Sequence, residues 1–333
     1  MTFPTPFHQH ANAPLITPLM RDFGDGIYAL DSGYFRDEFD AVHLVVEAGR
    51  VAVIDTSTQY AVPRILGALS ALGLGPDTVD WILLTHVHLD HAGGAGALLQ
   101  HCPNARVTVH PRGSRHLIDP SKLWAAVCEV YGKPMAEKEY GGLDPIDASR
   151  ILETPEGATV SLAGRVFEFW DAPGHARHHV YIRDTKTNSF FTGDTFGISY
   201  RDFDTAQGAY VFVTSSPSQF TPMDLQASMR RLMAAAPPAV YLTHYAQLTD
   251  IQRHGDHLLR QTDQFAEIAL AHQSAGDARS ARIREALSSL MLKDLATHGV
   301  GLSQEDCLKV LDLDLTLNSD GLVCWLDSLA HSA

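Results

Sequence analysis

Between residues 86 and 91 the chain reads His-Val-His-Leu-Asp-His, three imidazoles and a carboxylate in six positions, directly after the apolar run Trp81-Ile82-Leu83-Leu84 and Thr85. Imidazole and carboxylate are ligands suited to zinc, iron and manganese. His86 and His88 alternate with Val87, so in an extended segment both rings point to one side, while Asp90 and His91 turn toward a neighbouring position. Four ligands placed in this way do not easily converge on one ion, and two ions are the natural solution. The missing ligands should lie at similar strand ends elsewhere. Three residues qualify: His175 in Asp-Ala-Pro-Gly-His, Asp194 in Phe-Phe-Thr-Gly-Asp and His244 in Val-Tyr-Leu-Thr-His, each following an apolar or β-rich run at a turn. Asp194, with two carboxylate oxygens, is the candidate to bridge ions about 3.5 to 4 Å apart.

The chemistry follows from charge. Two divalent cations, less two carboxylates and one bridging hydroxide, leave roughly one positive charge, enough to draw the pKa of bound water toward about 7. Such a centre makes a nucleophile at neutral pH and stabilises the oxyanion formed on attack at a carbonyl or phosphoryl group. Asp90 is placed to accept or deliver a proton beside that nucleophile. The expected reaction is hydrolysis of an ester-type bond.

These residues need elements to hold them. Residues 27–33, 41–49 and 51–57 are short β-rich runs, with Glu47-Ala48-Gly49-Arg50 as a turn, and their close spacing predicts an antiparallel start. Residues 62–73 have apolar positions at helical spacing, 79–86 read as a buried strand, 92–102 as a helix and 106–110 as a strand, an α/β pattern. Residues 112–150 read as an inserted helix followed by a Gly- and Pro-interrupted loop. Residues 159–164, 165–175, 179–184 and 189–194 alternate like strands of a second sheet, followed by an amphipathic helix over 223–236 and a strand over 239–244. Beyond that the pattern is helix only, with Ser303-x-x-Asp306 as a capping box, so a catalytic domain over 1–250 and a C-terminal helical region over 251–333 are predicted.

Composition agrees with this division: 333 residues suggest about two domains at roughly 150 residues each. A net charge of −14 without any run of Lys and Arg argues against nucleic acid and anionic membrane surfaces as general partners. With no signal-like opening and no membrane-spanning apolar run, the expectation is a soluble, cytoplasmic protein acting on a small molecule. Cys102, Cys128, Cys307 and Cys324 are scattered, which indicates neither a thiolate metal site nor a disulfide framework.

Taken in order, Thr-His-x-His-x-Asp-His, Ala-Pro-Gly-His, Gly-Asp-Thr and Thr-His resemble the metallo-β-lactamase superfamily over roughly residues 25–250. The resemblance implies an αββα sandwich with two divalent transition-metal ions at the sheet edges, zinc first, with iron or manganese as alternatives. It implies that His86, His88 and His175 hold one ion, that Asp90, His91 and His244 hold the other, and that Asp194 bridges. The set is similar to that of glyoxalase II, quorum-quenching lactonases and ribonuclease Z. The leading expectation is a dinuclear hydrolase of small carbonyl esters, thioester or lactone; the alternatives are a di-iron redox or oxygen-binding protein on the same scaffold, and a phosphodiesterase. Lactonases place a tyrosine shortly after the bridging aspartate. Here the third residue on is Gly197 and Tyr200 comes later, so Tyr200 is the candidate to hydrogen-bond the substrate's carbonyl or leaving-group oxygen. Asp55 matches the family's strand-end aspartate and is expected to orient a ligand histidine, and His179 to support rather than ligate. Gly93 and Gly94 should permit close packing beneath the metal loop. Trp124, Tyr131 and Tyr200 are candidate pocket walls, and His110, His116, His178, His254 and His257 are read as surface or core histidines. The tail helices either shape the pocket or form a homodimer interface.

Overall fold

The computed structural model describes residues 15–17, 19–215 and 219–332. Its first sheet takes the strands in sequence order: β1 (Leu15–Thr17), β2 (Met20–Asp22), β3 (Ile27–Asp31), β4 (Ala41–Glu47), β5 (Arg50–Ile54), β6 (Val79–Leu83), β7 (Arg106–Val109) and β8 (Ile151–Glu153). The pairs from β1 to β5 are antiparallel and those from β5 to β8 parallel. The linkers decide this. β4 and β5 are joined by Ala48 and Gly49 alone, both at positive φ (47° and 76°), the backbone of a two-residue hairpin. Parallel pairs need longer crossovers: α1 (Val62–Ala71) joins β5 to β6, and α2 (Leu89–Ala92) with α3 (Ala95–His101) joins β6 to β7.

The inserted segment before β8 holds three helices, α4 (Ser114–Ile118), α5 (Ser121–Tyr131) and α6 (Lys133–Tyr140). The last of these takes residues 137–140 from the segment expected as a Gly- and Pro-interrupted loop, and Pro134 lies in its first turn. Proline in the first turn instead starts a helix, where its missing N–H has no partner to lose.

The second sheet comprises β9 (Thr159–Leu162), β10 (Arg165–Asp171), β11 (Val180–Asp184) and β12 (Ser189–Gly193). A short pair, β13 (Ile198–Ser199) with β14 (Val211–Phe212), and α7 (Pro222–Ala234) come next in the chain, before β15 (Val240–Leu242) and β16 (Ala246–Leu248) complete the sheet. Its order is β16-β15-β12-β11-β10-β9, with β12 and β15 parallel. Four helices follow: α8 (Ile251–Ala271), α9 (Arg279–His298), α10 (Gln304–Val310) and α11 (Asp312–Ser332). Ser303 caps α10 as its sequence suggests, its hydroxyl accepting from the Asp306 N–H at 3.1 Å.

Side-chain alternation builds the layers. Leu44, Val51 and Val53 face α1 and α3, whereas Val45, Ala52 and Ile54 face the second sheet, meeting Phe167, Phe169, Ile182 and Phe191. On the far side of the second sheet, Phe190, Val240 and Leu242 share one core with Leu225 of α7 and with Leu258, Phe265, Leu287 and Leu322 of the C-terminal helices. The architecture is therefore helix, sheet, sheet, helix. Because β5 and β6 are parallel, their C-terminal ends lie at one edge; β10, β12 and β15 share a direction, so their C-terminal ends also lie together. All the sequence-derived ligands follow these ends.

Candidate metal centre

Each ligand comes from a chain segment leaving a strand. His86 and His88 follow β6, Asp90 and His91 lie on the short α2, His175 follows β10, Asp194 follows β12 and His244 follows β15. The structure brings all of them together. His86 Nε2 and His175 Nε2 lie 2.9 and 3.1 Å from His88 Nδ1, and His175 Nε2 lies 3.5 Å from Asp194 Oδ2. Across the carboxylate, His91 Nε2 is 3.3 Å from Asp194 Oδ1 and 3.9 Å from Asp90 Oδ2, while His244 Nε2 is 3.5 Å from Asp90 Oδ2 and 4.0 Å from Asp194 Oδ1. Asp194 thus turns one oxygen to each group of ligands.

A tetrahedral ion with bonds of about 2.0 to 2.1 Å separates its ligand atoms by roughly 3.3 Å, and the observed spacings straddle that value. His91 Nε2 and Asp194 Oδ1 are buried and face each other at 3.3 Å without an aligned hydrogen bond to each other or to any other group. Orphaned polar atoms of this kind are costly unless something else satisfies them. Three groups, His86-His88-His175, His86-His91-Asp194 and Asp90-His91-His244, each hold their ligand atoms within 4.8 Å. The residues therefore fit two cations bridged by Asp194.

The supporting contacts fix which nitrogen faces the centre. Asp55, itself at positive φ (52°), accepts from the Thr85 N–H (2.8 Å), the Thr85 hydroxyl (2.8 Å), the Thr243 hydroxyl (3.0 Å) and His91 Nδ1 (2.8 Å). Since Thr85 gives its proton to Asp55, its oxygen is left to accept from His86 Nδ1 at 3.1 Å, which frees His86 Nε2 as a ligand. His244 Nδ1 donates to the Phe39 carbonyl at 2.7 Å to the same effect. Asp55 therefore orients His91 as expected, and also ties both Thr-His segments, one from each sheet. Sequence reasoning misses the two threonines, although Thr-His occurs before both ligands. His179 supports rather than joins: its Nε2 accepts from the Asp194 N–H at 3.2 Å. A Cβ on Gly193 would stand 2.5 Å from that nitrogen and 2.8 Å from Thr85 Oγ1, so only glycine allows the bridging residue this approach. Gly94 packs as anticipated, a Cβ there meeting the carbonyls of Thr56 and Thr58 at 2.7 and 2.8 Å.

Electrostatics divide the two groups. Burial pushes His86 well below its ordinary pKa, His88 to about 3 and His175 to about 4, so these rings are neutral. Burial also opposes charge on His91 and His244, but Asp194, Asp90 and Asp55 hold His91 well above its ordinary value, and Asp90 with Asp194 and Asp40 lifts His244 to about 9. Against their own burial, Asp90 and Asp194 are in turn held below the usual carboxylate range, with His91 the leading cause.

Tyr200 is near this centre without pointing into it. Its ring stacks on Phe39 (5.1 Å), which packs on His244, while its phenol donates to the carboxyl of Asp314 on α11, 3.0 Å from both oxygens. Trp124 is half-buried in a separate cavity of about 420 Å³, lined with Pro120, Glu137 and Leu143 and by none of the ligands. The Tyr131 side chain lies outside the described residues. His178 packs its ring 6.2 Å from His86 and 5.8 Å from His88; His110 contacts Asp171, His254 contacts Arg253, His257 contacts Tyr210 and His116 contacts Arg115.

The family model described as Metallo-beta-lactamase superfamily matches residues 37–244, and the chain belongs to that superfamily. It is similar to the metallo-beta-lactamase fold-containing protein ST1585 of Sulfurisphaera tokodaii, 28% identical over 172 residues that make up 50% of this chain and 61% of that one. It is also similar to a hydroxyacylglutathione hydrolase of Aeromonas hydrophila, 28% identical over 56% of this chain and 55% of that enzyme. The chain thus spans a little over half the length of these curated relatives. Among solved structures, a metallo-beta-lactamase family protein from Thermus thermophilus superposes with a TM-score of 0.65 at 20% identity, covering 93% of this chain and 95% of that one, which shows a shared fold including the C-terminal helices. Among the described residues, no helix is long and apolar enough to cross a membrane.

Proposed function

We propose that this chain is a dinuclear metal-dependent hydrolase of small carbonyl esters, thioesters or lactones. The observation that carries the reading is Asp194, which turns its two oxygens to two separate ligand groups that together hold every ligand expected from the sequence. Two divalent ions held there would supply Lewis acidity and a bound water acidified to near neutrality. The chain's own residues do the rest. His86, His91 and His244 present Nε2 because Thr85, Asp55 and the Phe39 carbonyl engage Nδ1. Asp90 lies at the open side, its carboxylate 28% exposed and 3.5 Å from His244 Nε2, where it can take a proton from the attacking water and return it to a leaving group. The acidic net charge favours carbonyl esters over polyanions: at −14, few cations beyond the metals await a phosphodiester. The similarity to hydroxyacylglutathione hydrolases supports a thioester arm of the same reading. The test is a panel of thioesters, lactones and phosphodiesters on the metal-loaded protein. A carbonyl ester should turn over fastest; faster turnover of a phosphodiester than of any thioester or lactone would overturn the assignment.

A further inference from the structure

Only two ligands of the centre are not fully buried, His88 and Asp90, so a substrate carbonyl must enter over that edge. Beside it stands the loop between β3 and β4, which carries Tyr34, Phe35 and Phe39. The rings form a continuous run: Phe39 packs edge-on against His244 at 5.0 Å, Phe35 lies 5.1 Å and Tyr34 5.9 Å from Phe39. The run continues into the inserted segment. Tyr140, the last residue of α6, lies 5.8 Å from Tyr34 with a tilt of 31°, and the Tyr34 phenol donates to the Tyr140 oxygen at 3.3 Å. Beyond burial, the Asp90 carboxylate is the leading cause of a raised Tyr34 pKa, which agrees with a phenol beside that ligand.

This loop is built to hold its shape. Phe35 and Glu38 adopt positive φ (59° and 51°), a conformation that costs a side-chain-bearing residue free energy and persists only when its surroundings enforce it. Asp31 enforces it by accepting from the Gly33 N–H (2.9 Å) and the Glu38 N–H (3.1 Å), and Ser32 Oγ accepts from the Tyr34 N–H (3.0 Å). The outcome is a Phe35 ring that is 57% exposed, an arrangement with no benefit to the core. α6 is pinned in turn, the Tyr60 hydroxyl donating to the Glu137 carbonyl at 2.8 Å. The cations at this loop are engaged, Arg36 with Asp202 at 2.7 Å, Arg21 with Glu38 at 2.6 Å and Arg64 with the Asp31 carbonyl at 3.3 Å, so the surface offers rings and phenols rather than an anchor for a carboxylate.

We propose that Phe35, Tyr34 and Tyr140, backed by the buried Phe39, form the acyl-binding wall, and that the substrate carries an apolar, preferably aromatic, acyl group. This rests on the hydrolase reading above and adds the substrate class. Flat rings gain from edge-on and offset contact with other rings, each such pair worth about a 2- to 12-fold preference.

The test measures two ratios on the metal-loaded protein, its Tyr140→Ala and Tyr34→Leu variants, and Met135→Ala as a control on another face of α6. The first ratio is kcat/KM for a phenylacetyl over an acetyl thioester with one leaving group. The second is the dissociation constant of acetate over that of phenylacetate, by calorimetry, which needs no turnover. Both ratios should favour the aryl group by about tenfold in the native chain, fall about fivefold in each tyrosine variant and stay put in Met135→Ala. Two variants guard against one failing to fold, which circular dichroism checks. Native ratios near one, or ratios that survive both tyrosine substitutions, overturn the proposal. Absence of any hydrolysis together with an aryl preference in binding that the variants lose would instead refute the hydrolase reading and leave the wall in place.

Discussion

Lowering the pH should empty one side of the centre before the other. Around His86, His88 and His175 the rings are already neutral, with His88 at about 3 and His175 at about 4, so between pH 6 and 8 no proton competes for that group of ligands. Around Asp90, His91 and His244 the reverse holds. His244 titrates at about 9 and His91 well above its ordinary value, so both are protonated at pH 7 and a cation must displace two protons. For groups whose pKa lies above the working pH, affinity rises with pH, by about tenfold per unit for each proton displaced. Going from pH 8 to pH 6 should therefore weaken the second ion by up to about 100-fold through His244 alone and further through His91, and the first hardly at all, with a cation already present near Asp194 making those protons easier to remove. Zinc titration calorimetry at pH 7 in two buffers of different ionisation heat counts the protons. Near zero should be released with the first ion and two or more with the second, from His91, His244 and the water acidified between the ions. Equal proton release in both steps, or a second affinity that does not change with pH, would refute the division of the centre.

Asp194→Ala removes a ligand from both groups and should lower occupancy of both, whereas Asp55→Ala loosens His91 and the two Thr-His segments and should cost about 10- to 100-fold in affinity or activity; metal analysis at one free-zinc concentration ranks them, and an Asp194→Ala protein that keeps two ions would remove the bridge. Gly193→Ala puts a methyl 2.5 Å from His179 Nε2, and at a φ of +47° it should shift Asp194 and lose metal even though the chain remains folded by circular dichroism; full occupancy would show that the strand end can give way. Tyr200→Phe should leave metal content intact and lower stability by about 1 kcal/mol, since its phenol is bonded to an Asp314 carboxyl that burial lifts to about 7; thermal unfolding reads this, and an unchanged melting temperature with reduced turnover would return Tyr200 to the substrate.

The clustering of the candidate ligands was legible because metal chemistry restricts residue type and the sheet restricts position: His, Asp and His recur where apolar runs end, and parallel strands bring those ends to one edge. The longer strands and most helices followed from alternation and helical spacing, whereas β1, β2, β8, β13, β14 and β16, none longer than three residues, are too short to show a period. What escaped were contacts between distant segments. Thr85 and Thr243 look like ordinary strand-end threonines until Asp55 is seen to accept from both. The loop of residues 32–40 has neither helical nor strand periodicity, and its meeting with Tyr140 across 106 residues leaves no trace in local pattern. The C-terminal helices read as a region of their own because their apolar stripes say only that a face is covered. That Leu258, Phe265 and Leu287 share a core with Phe190 and Val240 is a matter of tertiary packing. The same holds for Tyr200: its spacing after Asp194 placed it near the centre, but only Asp314, on the last helix, determines where the phenol points.

The central claim is two ions per chain, and the most direct measurement is elemental analysis of the purified protein after loading with zinc at pH 8 and removal of free metal. Seven clustered ligands, with Asp194 shared between two groups, call for close to two ions per chain. A value that stays at one or below would contradict the account.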